Sequence, residues 1–169
     1  MSLTVDIFEE PMVYQLTFDL DIRKWATMDA EVKKAVSSGW ESIKYLNDDG
    51  TALSDDIHKL PDNCGGIYLF LLKPDLLPQT HRYIMYIGRA HRATSFSLRK
   101  RCRTYISDDR PKVHRMIKRW GKDLYLYYLP IKGTDDFIDK VERELNRVII
   151  PPCNTRIPGY YVMPDEDMF

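Results

Sequence analysis

The sequence has 169 residues, of which 44% are hydrophobic and 30% are charged, and its formal net charge is zero. A chain of this length fits one domain and can bury about 70% of the surface that its unfolded form exposes. Its longest apolar runs are far shorter than the roughly 18 residues that a membrane span requires, and its N-terminal residues lack the charged-then-apolar order of a signal peptide. We therefore expect a soluble protein without a membrane partner.

The three cysteines, Cys64, Cys102 and Cys153, are far apart in the sequence and odd in number. This arrangement indicates neither a disulfide framework nor a zinc site. We therefore expect a reducing, intracellular compartment, the cytoplasm. The histidines also lack metal-ligand spacing, and we interpret them as surface or phosphate-contacting residues: His58, His81, His91 and His114.

The first 60 residues contain a strand pattern followed by a helix pattern. Residues 14–20 alternate apolar and polar side chains, which predicts a strand with one buried face. Residues 29–46 carry apolar side chains at steps of three and four residues, which predicts an amphipathic helix with Asp29 as its cap and Trp40 in its apolar stripe. We expect residues 1–60 to form an N-terminal strand–helix extension or accessory subdomain, followed by a domain of residues 61–169.

Two apolar runs that contain tyrosine follow at residues 66–72 and 83–87. The first run is apolar on both alternating faces, which is typical of a strand that helices cover on both sides. The second follows a connector that contains proline, and we expect it to be the antiparallel partner of the first. Tyr68 and Tyr86 would then be able to share one face of the sheet.

The middle of the chain is strongly basic. Residues 82–122 contain thirteen lysines or arginines and two acids, so this segment carries a charge of +11 and the rest of the chain −11. Aromatic side chains are interleaved with these charges. Such a block is expected of a protein that binds a phosphate backbone. The alternative is a solvated helix face that the acidic flanks neutralise.

Four further elements follow in the order helix, helix, strand, helix. The predicted helices cover residues 94 or 95 to 106, residues 113–120 and residues 134 or 135 to 149, and the strand covers residues 124–129. The buried stripe of the first helix is expected to contain Leu98, Cys102, Tyr105 and Ile106. Together these elements predict an α+β (mixed α/β) fold with a small central antiparallel three-stranded sheet flanked by helices.

Two carboxylates border the apolar stripe of the last predicted helix. Glu142 and Glu144 fall on opposite edges of that stripe, where a glutamate is more often solvated than functional. Periodicity does not choose between them.

Tyr68 and Tyr86 also have a purely structural alternative, because most tyrosines in strands only pack. A phenol with a pKa of about 10 costs roughly 4 kcal/mol to ionise at pH 7, so a tyrosine that acts as a base needs cations nearby. Three arginines that follow in the sequence are candidates for that charge: Arg89, Arg99 and Arg101.

The tripeptides Gly66-Ile67-Tyr68 and Tyr86-Ile87-Gly88 resemble the signature of the GIY-YIG nucleases. That family carries, on the helix after the second tripeptide, a catalytic arginine within a Leu-x-x-Arg arrangement, often with histidine four residues later. Leu98 and Arg101 match this arrangement, and Tyr105 stands where histidine often stands.

The family also has a metal-binding glutamate on a later helix, followed by an apolar residue three positions on, proline nine on and asparagine twelve on. Glu142, Leu145, Pro151 and Asn154 match this spacing, whereas counting from Glu144 does not. The resemblance covers residues 65–156. The connector between the tripeptides is longer than in compact members, and residues 1–60 lie outside the resemblance.

The resemblance implies an endonuclease that hydrolyses a phosphodiester in one step with a single divalent ion. Glu142 would hold Mg²⁺ or Mn²⁺, with water and phosphate oxygens as the other ligands. Tyr68 would orient or deprotonate the attacking water, and Tyr86 would help to position it. Arg101 would neutralise the charge that builds on the phosphoryl oxygens.

The resemblance also implies residues that contact the substrate. Asn154 would hold the end of the glutamate helix or a backbone phosphate. Arg89 would position Tyr68, the water or the phosphate. Three further residues, which lie on the two predicted basic helices, are also expected to bind the substrate: Arg99, Tyr105 and His114.

Two other functions are compatible with the same residues. The chain would be a catalytically inactive nucleic-acid-binding module if it kept the fold and the basic face without the chemistry. It would be a purely structural domain if the basic surface were incidental. For the endonuclease and for the binding module the expected partner is nucleic acid, most simply DNA, and the sequence leaves the oligomeric state open.

Overall fold

The computed structural model describes residues 16–92 and 97–157. Three short 3-10 helices occur in this part of the chain, at Asp55–Lys59, Thr104–Ser107 and Gly121–Asp123. The α-helices and strands follow in this order: α1 (Ile22–Ala26), α2 (Ala30–Val36), β1 (Glu41–Lys44), β2 (Gly66–Leu72), β3 (Tyr83–Ala90), α3 (Leu98–Arg103), α4 (Pro111–Trp120), β4 (Leu124–Pro130) and α5 (Asp135–Ile149).

The four strands form one antiparallel sheet in the order β1-β4-β2-β3. The predicted α+β class is confirmed, and so is the antiparallel pairing of β2 with β3. The expected three-stranded sheet is wrong by one strand, because β1 pairs with the far side of β4, with Glu41 opposite Tyr128 and Ile43 opposite Leu126. β1 and β3 are therefore the edge strands of the sheet.

The helix expected over residues 29–46 is correct only in its first part. Asp29 caps α2 as predicted, because its carboxylate accepts hydrogen bonds from the N–H groups of Glu31 (2.9 Å) and Val32 (3.2 Å). The helix ends at Val36, and Gly39 then takes a φ of +84°, a conformation that glycine adopts without steric cost. Ile43 is buried after this turn, but it lies on the strand β1 and not on a helix. Helical spacing in the sequence does not distinguish these two cases.

The strand expected over residues 14–20 is not observed in the described part of that segment. Residues 14 and 15 lie outside the described residues, and residues 16–20 form no strand. Phe18 and Leu20 are 42% and 61% exposed. An alternating pattern becomes a strand only where a partner strand is present, and residues 16–20 have none, although Leu16 packs against the core.

Apolar layers cover both faces of the sheet, as the apolar sequence of β2 predicts. Tyr68 and Phe70 point towards α3 and α4, and we call this side the tyrosine face. Ile67 and Leu69 point the other way, towards α2 and α5, and we call this side the α5 face. The alternation of side chains along β2 therefore assigns each residue to one of the two layers.

The remaining elements follow the sequence pattern, with small shifts in their starts. Ser97 caps α3, and residues 94 and 95, where this helix was expected to begin, lie outside the described residues. Leu98, Cys102 and Tyr105 are buried as expected, but Ile106 is 37% exposed, because the chain tightens into the 3-10 helix Thr104–Ser107 and turns Ile106 outward.

The last helix, α5, has the predicted bounds. The hydroxyl of Thr134 accepts a hydrogen bond from the N–H of Phe137 (3.2 Å) and caps its start. Its end at Ile149 precedes Pro151 and Pro152, which lack the N–H that a helix requires. In the described residues, none of the helices has the length and apolar character needed to span a membrane.

Candidate active site

Three tyrosine hydroxyl groups meet on the tyrosine face. The hydroxyl oxygens of Tyr68 and Tyr105 are 2.7 Å apart, and Tyr105 donates a hydrogen bond of 3.2 Å to Tyr86. A hydroxyl has one proton, so Tyr105, which donates to Tyr86, accepts from Tyr68. The hydrogen bonds therefore run in one direction, from Tyr68 through Tyr105 to Tyr86, and we call these residues the tyrosine chain.

An arginine lies at each end of the tyrosine chain. Nε of Arg101 donates to the hydroxyl of Tyr68 (3.3 Å), and its guanidinium carbon lies 5.3 Å from the centre of the Tyr105 ring. Arg110 donates a long hydrogen bond of 3.4 Å to the hydroxyl of Tyr86 and lies over the same ring, 5.6 Å from its centre. Both arginines favour negative charge on the phenol oxygens.

The ladder between β2 and β3 brings Tyr68 and Tyr86 onto one face, as expected. Tyr68 is opposite Gly88, and Phe70 is opposite Tyr86. The ring of Tyr68 lies against Gly88 so closely that a Cβ atom there would be 2.5 Å from its Cζ and hydroxyl oxygen. The glycine of the second tripeptide therefore provides the space that the tyrosine of the first one occupies.

The tyrosine chain is almost completely buried. Tyr68 is 1% exposed and Tyr105 is fully buried. Burial raises the pKa of Tyr68 well above its ordinary value, and the neighbouring phenols add to this effect, whereas Arg101 opposes it. Burial likewise raises the pKa of Tyr105. At neutral pH these two residues are therefore un-ionised phenols.

Glu142 lies in a second cluster, on α5. Its carboxylate forms an ion pair with Nη1 of Arg89, and Nε of Arg89 lies 2.6 Å from the carboxylate of Asp139. His91 contacts Asp139 and accepts a hydrogen bond of 3.1 Å from Nε of Arg89. The Glu142 side chain is only 18% exposed, and burial raises its pKa, although Arg89 opposes that shift. We call these four residues the carboxylate cluster.

The structure separates the two glutamates that periodicity left equivalent. Glu144 pairs with Arg147 on the same helix, at 2.7 Å. Glu142, in contrast, pairs with Arg89 of β3, and thus with the segment that carries the second tripeptide. Of the two, only Glu142 is linked to that segment by an ion pair within the described residues.

The tyrosine chain and the carboxylate cluster lie on opposite faces of the sheet, near the same end of β3. Arg89 directly follows Gly88, which packs against Tyr68. Within the described residues, no hydrogen bond or ion pair joins Glu142 to Tyr68. Gly88 and Arg89 therefore bring the two groups to the same end of β3, one on each face of the sheet.

Asn154 lies on the outer edge of β3. Its side-chain oxygen accepts from the N–H of Ile87 (2.9 Å), and its Nδ2 donates to the carbonyl of the same residue (2.8 Å). The N–H of Cys153 also donates to the carbonyl of Met85 (2.9 Å). The segment after α5 therefore pairs with β3 much as another strand would.

Two of the expected substrate-binding residues lie away from both clusters. Arg99 donates to the carbonyls of Leu60 (2.7 Å) and His58 (2.9 Å), so it holds the segment before β2. His114 is exposed on α4. In the part of the chain that the structure describes, no side-chain hydrogen bond joins either residue to the tyrosine chain or to Glu142.

The carboxylate oxygens of this cluster are the type of ligand that a hard cation prefers, and such a cation keeps most of its water ligands. In the described residues, no group of three or more histidine, cysteine, aspartate or glutamate side chains is arranged to hold a metal ion. Glu142 alone with water and phosphate oxygens suits Mg²⁺ or Mn²⁺, which do not require a complete protein cage. A cation, the guanidinium of Arg89, already contacts Glu142 in this structure.

Two residues in and beside these clusters, Asp139 and Arg110, were not predicted from the sequence. Asp139 lies three residues before Glu142 on the same helix, and this i, i+3 spacing would have pointed to a shared helix face. Arg110 precedes Pro111 in a short turn after two aspartates, and Asp108 holds its guanidinium at 2.6 Å. Nothing in the sequence pattern pointed to Arg110, because its position depends on the turn.

Comparisons were made with protein-family models, with curated proteins and with solved structures, and none of the three found a match to this chain.

Proposed function

We propose that this protein is a divalent-metal-dependent endonuclease of the GIY-YIG type, which hydrolyses phosphodiester bonds in nucleic acid, most simply DNA. The observation that carries this proposal is the meeting of Tyr68, Tyr86, Arg101 and Tyr105 in one hydrogen-bonded group. These residues were chosen from the sequence by motif spacing alone, and they come from two strands and two helical segments.

In this proposal Tyr68 orients the attacking water. Its proton is donated to Tyr105 and one of its lone pairs accepts from Arg101, so the other lone pair would accept a hydrogen bond from water once substrate binding admits water to this buried hydroxyl. Its raised pKa favours this orienting role over that of a base in the free protein. If the water does lose its proton to Tyr68, protons would shift from Tyr68 to Tyr105 and from Tyr105 to Tyr86, and Tyr86 would release its own proton to solvent. Arg110, which is already a cation, would stabilise the chain without accepting a proton.

Arg101 and Glu142 would act on the charge of the phosphate. Arg101 lies beside Tyr68 and would neutralise the phosphoryl oxygens, a preorganised interaction that is often worth several kcal/mol. Glu142 would hold the divalent ion, which when bound would supply positive charge to the departing 3′ oxygen. The substrate would bind near the end of β3 that carries Gly88 and Arg89, because these adjacent residues contact the tyrosine chain and the carboxylate cluster.

The charge and the thiols of the chain also suit this function. Exposed basic side chains on α3 and α4, among them Lys100, Arg103 and Lys118, supply positive charge for a phosphate backbone. The three cysteines are free thiols, which suits the reducing interior of a cell.

A cleavage assay tests the proposal. Supercoiled plasmid and a panel of duplex, flapped and branched DNA and RNA substrates are incubated with the full chain and Mg²⁺ or Mn²⁺. We expect cleavage that EDTA abolishes and that Tyr68→Phe and Glu142→Gln each slow by about a hundredfold or more. Tyr83→Phe and Glu144→Gln are the matched controls, since they lie outside the two clusters, and should cut at nearly the rate of the wild type.

A nucleic-acid-binding module without catalysis is the second candidate. The burial of Tyr68 favours it, because in the free protein the hydroxyl is almost inaccessible to water. Salt-sensitive binding of nucleic acid without cleavage of any substrate would support this second function. Cleavage that Tyr68→Phe and Glu142→Gln leave unchanged would contradict the assignment of the site.

A further inference from the structure

The position of Arg89 creates a conflict within the carboxylate cluster. Its guanidinium forms an ion pair with Glu142, the carboxylate that would hold the divalent ion. Arg89 and a divalent ion would compete for one carboxylate, so the ion would bind Glu142 weakly as long as Arg89 remains in place. The same side chain is also 38% exposed at the edge of the sheet, where a phosphate of the substrate can reach it.

Asp139 gives Arg89 a second attachment. Nε of Arg89 lies 2.6 Å from the Asp139 carboxylate, whereas a different nitrogen, Nη1, contacts Glu142. Rotation of the guanidinium about its Asp139 contact would therefore release Glu142 without releasing the whole side chain. Asp139 is 39% exposed and Glu142 18% exposed, so the outer of the two contacts is the one that can be kept while the guanidinium faces the solvent.

We propose that Asp139 is a positioning residue that holds Arg89 while its guanidinium exchanges between Glu142 in the free protein and a phosphate of the bound nucleic acid. This inference rests on the proposed function and adds a regulatory step to it. Glu142 accepts the divalent ion when the substrate has drawn Arg89 away. Substrate and ion consequently bind with positive coupling, and the coupling is equal in both directions.

Binding of Mn²⁺, measured by the electron paramagnetic resonance signal of the free ion, tests the exchange without any cleavage. Removing the competing guanidinium by Arg89→Gln should tighten Mn²⁺ binding to the full chain about tenfold in the absence of nucleic acid, a change of about 1.4 kcal/mol. Arg143→Gln is the matched control, because it removes the same charge from an exposed residue next to Glu142. Equal affinities of the two variants for Mn²⁺ would overturn the proposal.

The same titration in the presence of a short DNA duplex tests the role of Asp139. In the Tyr68→Phe background, where cleavage should be about a hundredfold slower or more, the duplex is expected to tighten Mn²⁺ binding about tenfold. Adding Arg89→Gln should remove this dependence on DNA, adding Asp139→Asn should remove most of it, and Asp139→Glu should restore it. A dependence on DNA that is unchanged by Asp139→Asn would contradict the positioning role.

Thermal unfolding monitored by circular dichroism verifies that each variant is folded. If Arg89→Gln does not fold, Arg89→Met provides the same test, because it removes the charge and keeps an unbranched side chain.

The outcomes also separate this proposal from the nuclease function. Cleavage by the wild type with no effect of Arg89→Gln on Mn²⁺ binding overturns the exchange alone, whereas tighter Mn²⁺ binding in a chain that cuts no nucleic acid overturns the nuclease function alone.

Discussion

At the scale of single residues, the packing of Tyr68 on Gly88 determines the geometry of the tyrosine chain. The absence of a side chain at Gly88 lets the Tyr68 ring lie directly on β3. From there its hydroxyl reaches both Arg101 and Tyr105. The two tripeptides thus depend on each other through a contact between a glycine of one and a tyrosine of the other.

Gly88→Ala should therefore destabilise the protein and move Tyr68. The new Cβ would lie 2.5 Å from the ring, and this ring is fixed by packing and hydrogen bonds. We expect a loss of about 1–3 kcal/mol in the free energy of unfolding, the usual cost of overpacking a core. Denaturant unfolding measures it.

Gly133→Ala is the control for this substitution, because its Cβ would meet its nearest neighbour, a Phe137 ring carbon, at 3.2 Å. Its effect should be clearly smaller. Equal stability of Gly88→Ala and the wild type would mean that the Tyr68 ring can move without cost.

At the scale of elements, β3 is an edge strand whose outer side is covered by the segment after α5. Asn154 uses both polar groups of its side chain on the backbone of Ile87. This pairing protects an edge that would otherwise be open to another strand. It also fixes the end of β3 that carries Gly88 and Arg89, and so it connects the chain after the glutamate helix to the site.

Asn154→Ala should loosen this edge. The substitution removes two hydrogen bonds and leaves the N–H and carbonyl of Ile87 without these partners, which should cost about 2 kcal/mol of stability. Hydrogen exchange of the Ile87 amide should also become faster. Asn47→Ala is the comparison, since Asn47 accepts from the N–H of Thr51 and of Ala52 in an exposed turn where water can replace it. An Ile87 amide that exchanges as slowly in Asn154→Ala as in the wild type would contradict this role.

At the scale of the whole molecule, residues 41–60 contribute to the same sheet and the same core as the residues that follow. β1 pairs along β4, and Tyr45 donates a hydrogen bond to the carbonyl of Cys102 (2.9 Å). The layer on the tyrosine face includes five buried side chains from this segment: Ile43, Tyr45, Leu46, Ile57 and Leu60. The site is therefore supported by packing from both parts of the chain.

A fragment of residues 61–169 tests how far residues 1–60 are an accessory unit. Burial of each of the five side chains is worth about 1.5–3 kcal/mol, and their sum is comparable to the 5–15 kcal/mol that stabilises a typical domain. We expect the fragment to be unfolded or aggregated, because it also exposes the edge of β4. Circular dichroism and size-exclusion chromatography measure this, and a folded, monomeric fragment would support an independent domain from residue 61 onward.

Much of the fold from β2 to α5 was predictable from the sequence, because there the local signals agree with the tertiary contacts. β2 is apolar on both faces and is buried on both, and α5 has a cap, a continuous apolar stripe and two prolines after its end. The N-terminal part was predicted poorly. The helical spacing of residues 29–46 and the alternation of residues 14–20 are local patterns, and neither shows whether a partner strand is nearby. β1 forms because β4 is available as its partner.

The candidate residues follow from the sequence alone: the two tripeptides, Arg101 and Tyr105 one helical turn apart, and Glu142 in preference to Glu144 by motif spacing. Their grouping depends on the packing of the elements that carry them. Tyr68, Tyr105 and Tyr86 form one hydrogen-bonded chain, while Glu142 lies on the opposite face of the sheet with Arg89 and Asp139. The physical reason is that spacing along a chain fixes the face of a strand or helix on which a side chain lies, whereas its partners depend on which other elements pack against that face.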